Sequence, residues 1–471
     1  MIGVALLWLL VGISSVHVLM DNRQPAKTMA WVLVIIFVPV VGIVLYLFFG
    51  VNHRRERLVN QRQMDELTKR SMLSFVEQQN LRLPETQKQL IDLFVNQNLS
   101  LPFRSNRVDI MTDGYAYFPE LLKDIAQARH HIHIDMYIFE DDALGRLVGD
   151  ALIDRARDGV KVRVIYDDVG CWRVKHRFFE HMREEGIEIC PFLPVHFPTF
   201  TSKLNYRNHR KIVVIDGRVG YIGGMNIAMR YVKGTGSQPW RDTMLRLEGG
   251  IIYSLQRAFL VDWYFVDGTL ITNRDYYPSL TSHLSPLTCN LAQIVTSAPT
   301  NPYPEIMQGY VRAITAARRY VYIQTPYFLP NDPVLFALKT AAVAGVDVRI
   351  MCPYTSDSQL TEWASRPYLR EVSEAGAGVF LYQGGFLHSK MMVVDDALVT
   401  CGSTNVDIRS FENNFEANVF VYDEGTALRL KKIFLDDQQH CLALNNVPNW
   451  SQPGFHLRLW ESLTRLLSPL L

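Results

Sequence analysis

The segment HRKIVVID at residues 209–216 returns as HSKMMVVD at residues 388–395, and this duplication constrains the fold more than any other feature. Both copies read His-x-Lys-x-x-x-x-Asp, through His209, Lys211 and Asp216 and through His388, Lys390 and Asp395. Each copy continues into a small-residue turn at the same distance, Gly223-Gly224-Met225-Asn226 in the first and Gly402-Ser403-Thr404-Asn405 in the second. The histidines stand 388 − 209 = 179 residues apart, too far for a solenoid repeat and suited to two whole lobes.

Between Lys and Asp each motif is apolar and largely β-branched, which predicts a buried strand. Alternation along that strand puts the His and the Lys on one face. The repeat extends upstream, where the run from His131 and the run from Tyr320 both read strand, helix, strand. Their matched pieces are Tyr137 with Tyr327, and the Gly-Val-x-Val-Arg turns at 159–163 and 345–349. A helical segment between two short apolar runs predicts a βαβ unit in each half, each half a sheet covered by helices, with the two sheets meeting near the motifs.

A His and a Lys projecting together can grip one phosphate, the Lys as fixed charge and the imidazole as nucleophile or proton donor. Two such strands facing each other make one symmetric phosphodiester site. An imidazole pKa near 6.5 leaves both protonation states accessible, so one histidine can attack while the other protonates the leaving oxygen. Asn226 and Asn405 follow tight turns and are candidate phosphate donors, with a turn-only role as the alternative. Asp216 and Asp395, counted with the motif, are expected to brace neighbouring backbone or the motif lysine.

The chain opens on two apolar stretches. Residues 2–20 and 29–50 contain no Asp, Glu, Lys or Arg, and each approaches the roughly 20 residues that span a bilayer. The polar link DNRQPAKT predicts a transmembrane hairpin, with Pro39 tolerated as a kink, and the MIGVALLW opening does not fit a cleaved signal. Arg54, Arg55 and Arg57 bias the catalytic part weakly towards the cytoplasm.

On the duplicated motif, roughly residues 105–445 resemble the phospholipase D superfamily, and with the N-terminal hairpin the chain looks most like bacterial cardiolipin synthases. The resemblance implies an α/β fold of two repeated lobes, each a mixed sheet flanked by helices, behind an α-helical transmembrane hairpin in the bacterial inner membrane. It implies phosphatidyl transfer from one phosphatidylglycerol to another, giving cardiolipin and glycerol through a phosphatidyl-histidine, by analogy on His209. Hydrolysis, or phosphatidylethanolamine as second lipid, is the alternative. It also implies a carboxylate downstream of each motif that orients a histidine. Glu416 fits for the second lobe, expected to orient His388, with Glu412 a rival if the register differs, and Asp242 is the first-lobe candidate. Their distances from the motif aspartates differ, 416 − 395 = 21 against 242 − 216 = 26, so an insertion is expected in the first lobe.

Charge and cysteines narrow the partners. Lys and Arg number 48 against 47 Asp and Glu, which leaves no broad field to hold a nucleic acid. Six cysteines without a CxxC pair suggest packing residues in a reducing compartment. No cofactor or metal is expected, since lysines stand where a metal enzyme uses a cation. His130, His131 and His133 read as an exposed strand edge, and Asp167 with Asp168 as a loop cap. The expected domains are the hairpin 1–50, a connector 51–104, and lobes 105–285 and 286–471. Leu459, Trp460, Leu463, Leu466 and Leu467 fall at helical spacing and predict a helix docked on the second lobe, or else lying on the membrane surface.

Overall fold

The computed structural model describes residues 2–20, 25–50, 85–98, 100–195, 205–236, 238–277 and 290–470. Most of the expected connector, residues 278–289 at the expected boundary of the lobes, and with them Cys289, lie outside these residues.

The two halves share one sheet. From its outer edge inward the first lobe orders its strands as 188–192, 161–167, 131–136, 211–215, 219–223, 244–248 and 103–111. The second repeats this as 378–382, 347–353, 320–324, 391–394, 398–402, 416–422 and 290–297, with a short extra strand at 441–443 outside it. The predicted βαβ units are present, since His131–Met136 runs parallel to Lys161–Asp167 and Tyr320–Gln324 parallel to Asp347–Pro353. The expectation of two sheets meeting near the motifs needs correction. The lobes join edge to edge, by antiparallel pairing of Phe103–Met111 with Asn290–Ser297.

Burial on both faces explains why the motif strands read as continuous apolar runs. Val213 and Ile215 pack under the helices Gly114–Ala126 and Ala143–Arg157, whereas Ile212 and Val214 enter a core shared with Met391 and Val393 of the other lobe. That shared core is closed by one helix from each lobe, Ile252–Asp267 and Glu424–Gln438.

Each motif aspartate opens a three-residue hairpin loop, 216–218 between Ile215 and Val219 and 395–397 between Val394 and Leu398. Asp216 and Gly217 have φ of 59° or less but positive, at 53° and 59°, and Asp395 and Asp396 stand at 54° and 56°. Asp tolerates the left-handed region better than most side chains, and such paired positive angles suit the twist of a tight hairpin. The Asp216 carboxylate accepts from the backbone N–H groups of Arg129, His130 and His131, at 2.8 to 3.2 Å. Asp395 does the same for Arg318, Arg319 and Tyr320, at 2.7 to 2.8 Å. Both tie the motif strand to the start of its neighbour.

The histidine cluster is not an exposed edge. Its strand lies inside the sheet, so His131 and His133 are fully buried beneath the helix Ile252–Asp267, and His130 alone is exposed. Gln256 bridges the two rings at 3.0 and 2.8 Å, and the His133 ring stacks on Phe259. Burial pushes His131 down to about 4, which keeps it neutral as a packing residue. Asp167 and Asp168 do cap loops: Asp167 accepts from the N–H of Gly170 and Asn208, and Asp168 from that of Val195. Among the described residues no cluster of metal-ligating side chains occurs. The five described cysteines are free.

The N-terminal segment departs from a pair of continuous spans. Helix Ile2–Met20 packs against Pro25–Phe37, around Val11, Val18, Ile35 and Tyr46. The second apolar stretch then breaks at Val38, because Pro39 lacks an N–H and disfavours helical backbone in the residue before it. Helix Pro39–Leu45 turns back along its predecessor, bringing the Tyr46 ring to 5.6 Å from Trp31. Gly42 permits the turn, since a methyl there would sit 2.6 Å from the Val34 carbonyl oxygen. Pro39 thus ends a helix where a kink is predicted, and among the described residues no helix is long and apolar enough to cross a membrane.

Candidate active site

The motif histidines share one cavity of about 580 Å³ at the junction of the lobes, lined also by Asn226, Asn405, Tyr137 and Tyr327. Each histidine is held by the opposite lobe. The His209 N–H donates to the Phe415 carbonyl at 2.9 Å, and the His388 N–H donates to the Arg241 carbonyl at 2.7 Å. The next residue in each case is a carboxylate. Glu416 lies 3.0 Å from His209 Nδ1, and Asp242 lies 2.6 Å from His388 Nδ1.

This crossing corrects the expectation that Glu416 orients His388. Each carboxylate stands at or just before the start of its strand, Glu416–Tyr422 and Met244–Glu248, next to the carbonyl that holds the opposite histidine, so each lobe orients the other's imidazole. A position downstream of a motif in the chain says nothing of which motif it faces. Glu412 stands apart, paired with Lys27 at 3.0 Å. The expected first-lobe insertion follows the short helix Arg230–Lys233, whose counterpart is Ile408–Glu412, and holds the Thr235–Gln238 bridge. It delivers the Trp240 ring to 5.3 Å from His388.

The small-residue turns fit the carboxylates they face. Ser403 donates its hydroxyl to Glu416, while its counterpart Gly224 lies so close to Asp242 that any Cβ would overlap the carboxylate. Gly224→Ala is therefore expected to displace Asp242 and free the His388 ring, lowering kcat by at least about 10-fold, within the roughly 10⁴-fold that the loss of a histidine-orienting carboxylate can cost. Steady-state kinetics beside a thermal melt checks this; an unchanged kcat in a folded variant would contradict it.

Burial sets the charge states. It drives His209 down to about 4, against the opposing pull of Glu416. At His388 burial and the Lys390 ammonium, 2.9 Å from Nδ1, give about 3. Burial also lowers Lys390 to about 8 and Lys211 well below its ordinary value. Glu416 stays below the usual carboxylate range, because His209 and Lys211 outweigh the upward push of burial. Near pH 7 the histidines are neutral, and a carboxylate on Nδ1 holds the tautomer that leaves Nε2 free.

The lysines lie beneath the histidines. Lys211 Nζ donates to the His209 carbonyl at 2.6 Å, and Lys390 Nζ to that of His388. Asn226 accepts from the Ile138 N–H and donates to the Tyr231 hydroxyl, which fixes its turn. Asn405 donates to Asp407 at 2.9 Å. Asp216 and Asp395 do not line the cavity.

Several further residues line the cavity. Tyr137 and Tyr327 carried a signal as matched repeat positions, and the Tyr137 ring now stands 4.9 Å from His209. Arg230 and Arg409 also line the wall, at one distance from their motif histidines, 230 − 209 = 21 and 409 − 388 = 21, whereas Arg207 and Asp407 have no repeated counterpart to mark them.

A family model described as cardiolipin synthase, PLD-like domain, matches residues 121–248 and again 310–438. A second, phospholipase D-nuclease N-terminal, matches residues 4–50. The major cardiolipin synthase ClsA of Bacillus subtilis is 38% identical over 463 residues, covering 96% of this chain and 95% of that one. The chain belongs to the cardiolipin synthase family of the phospholipase D superfamily. The cardiolipin synthase of Geobacillus kaustophilus, another family member, is 37% identical over 96% of this chain and 90% of its own. Among solved structures, the phosphatidylserine synthase of Haemophilus influenzae has a TM-score of 0.61 at 15% identity, over 82% of this chain and 100% of that one. That likeness is one of fold, which this cardiolipin synthase family member shares.

Proposed function

We propose that the chain is a cardiolipin synthase that moves a phosphatidyl group from one phosphatidylglycerol to the hydroxyl of a second, releasing glycerol. The observation that carries this reading is the pair of carboxylate-held histidines on one cavity, within a chain that matches cardiolipin synthases along nearly its whole length. His209 Nε2 attacks phosphorus, the bond to the glycerol oxygen breaks, and His388 gives that oxygen a proton. The incoming hydroxyl then returns a proton to His388 as its oxygen displaces His209. His209 suits attack better, since no ammonium crowds its Nδ1, whereas Lys390 stands beside that of His388. Lys211, Lys390, Asn226 and Asn405 supply positive charge and donors for the developing negative charge. Asp216 and Asp395 hold the motif strands, and the domains run as 1–50, 51–104, 105–285 and 286–471.

The substrates are bilayer lipids, so the apolar N-terminal segment anchors the enzyme in the cell membrane as a multi-pass hairpin, with the catalytic lobes on the cytoplasmic side. Purified full-length protein given phosphatidylglycerol labelled in both its headgroup and its acyl chains tests the reading. Cardiolipin and free glycerol in equal amounts are expected; phosphatidic acid without cardiolipin would replace synthase by hydrolase.

Proton linkage offers a separate check. A bound phosphodiester anion opposes the burial and lysine charge that depress the imidazoles, so the histidine pKa rises on binding. At pH 7 a short-chain phosphonate analogue of phosphatidylglycerol should therefore bind with uptake of about one proton. Calorimetry in buffers of different ionisation enthalpy measures it, and zero uptake would mean that the acid is not an imidazole.

A further inference from the structure

The C-terminal helix Phe455–Arg465 docks by its polar side. Glu461 is fully buried between Arg366 and Arg370 of the helix Gln359–Glu374, and Thr464 and Ser468 follow it into the same contact. The apolar residues expected to dock point outward. Trp460 is 58% exposed and Leu466 75%, and Phe455, Leu459, Leu463 and Leu467 lie open with them. A helix that buries its carboxylate against two guanidiniums and shows water its leucines is inverted relative to a soluble protein. The inversion makes sense only when something apolar covers the outer face.

We propose that this outer face lies in the lipid bilayer and seats the mouth of the active-site cavity on the membrane. The inference rests on the reading of the protein as an enzyme of bilayer lipids. Three contacts tie the face to the cavity. Arg409, which lines the cavity, donates to the carbonyl of Leu470 just beyond the helix. Glu412, on the same short helix as Arg409, pairs with Lys27 of the apolar N-terminal segment. The helix on which the tail docks carries Thr361 into the cavity wall and sets Trp363 6.5 Å from Trp460. N-terminal anchor, apolar tail and cavity wall thus converge on Ile408–Glu412. Leucines and a tryptophan beside basic side chains suit the interface between acyl chains and anionic headgroups.

The test uses the full-length protein in vesicles of phosphatidylglycerol and phosphatidylethanolamine. A fluorophore on Leu463→Cys is read against one on Tyr115→Cys, each over the background of the protein without the added cysteine. Lipids bearing a nitroxide on the acyl chain should quench the first by more than half and leave the second unchanged. In parallel, the double variant Leu459→Glu and Leu463→Glu should lose about tenfold in turnover on vesicles and keep its turnover on monomeric short-chain phosphatidylglycerol. An unquenched Leu463 label on vesicle-bound protein overturns the proposal, whether the protein is a dimer that covers the face with a second copy or a monomer that leaves it in water. Quenching without cardiolipin formation would leave the membrane face standing and remove the synthase reading alone.

Discussion

Replacing either His209 or His388 by alanine is expected to lower turnover by at least about 10⁴-fold, with each single variant nearly as poor as the double. Groups that act as one unit fail together, and their losses do not add. Folding should survive, because both side chains sit at the cavity wall and the backbone bonds to Phe415 and Arg241 do not depend on the imidazoles. Turnover measured beside a thermal melt decides the matter. Substantial turnover in both single variants would separate the lobes into two independent sites.

The second large effect is that of Glu416→Gln. The carboxylate accepts from His209 Nδ1 and from the Ser403 hydroxyl, and it faces the buried Lys211 charge. An amide keeps the shape, yet it can offer His209 an N–H in place of an acceptor and so favour the wrong tautomer. Where a carboxylate orients a catalytic histidine, this substitution costs up to about 10⁴-fold in kcat. A loss of at least 10²-fold is expected here, with KM little changed. Because the pairing crosses the lobes, the defect should resemble that of His209→Ala and not that of His388→Ala. A donor with an activated leaving group, phosphatidyl-p-nitrophenol, distinguishes these, since nitrophenolate leaves without a proton from His388: its release should stay slow in Glu416→Gln, as in His209→Ala, and recover in His388→Ala. A Glu416→Gln variant that releases nitrophenolate at the normal rate would contradict the crossed assignment.

The crossing also shows where sequence and structure part. Much was legible because it is periodic or repeated: the apolar runs Ile212–Ile215 and Met391–Val394 are strands buried on both faces, and the two βαβ units follow from matched turns. Glu416 and Asp242 were legible as carboxylates at comparable distances from their motifs. Which histidine each would face was not, because bonds such as His209 to Phe415 span 415 − 209 = 206 residues and leave no mark on local spacing. The tail misled for a related reason. Its leucines at helical spacing define an apolar face, but the side that docks was chosen by Glu461 meeting Arg366 and Arg370 nearly a hundred residues earlier. His131 and His133 followed the same logic, since the strand that carries them has neighbours on both sides and Gln256 to satisfy the rings.

Two histidines share one phosphodiester through a covalent step, and the stereochemical course at phosphorus tests this most directly. Phosphatidylglycerol made chiral at phosphorus by one sulfur substitution would be converted by the full-length protein, and the configuration of the transferred group read in the product. Two successive in-line displacements, one by His209 and one by the incoming hydroxyl, should give retention. Inversion would mean a single direct transfer with no phosphatidyl-histidine, and would contradict the role given to His209.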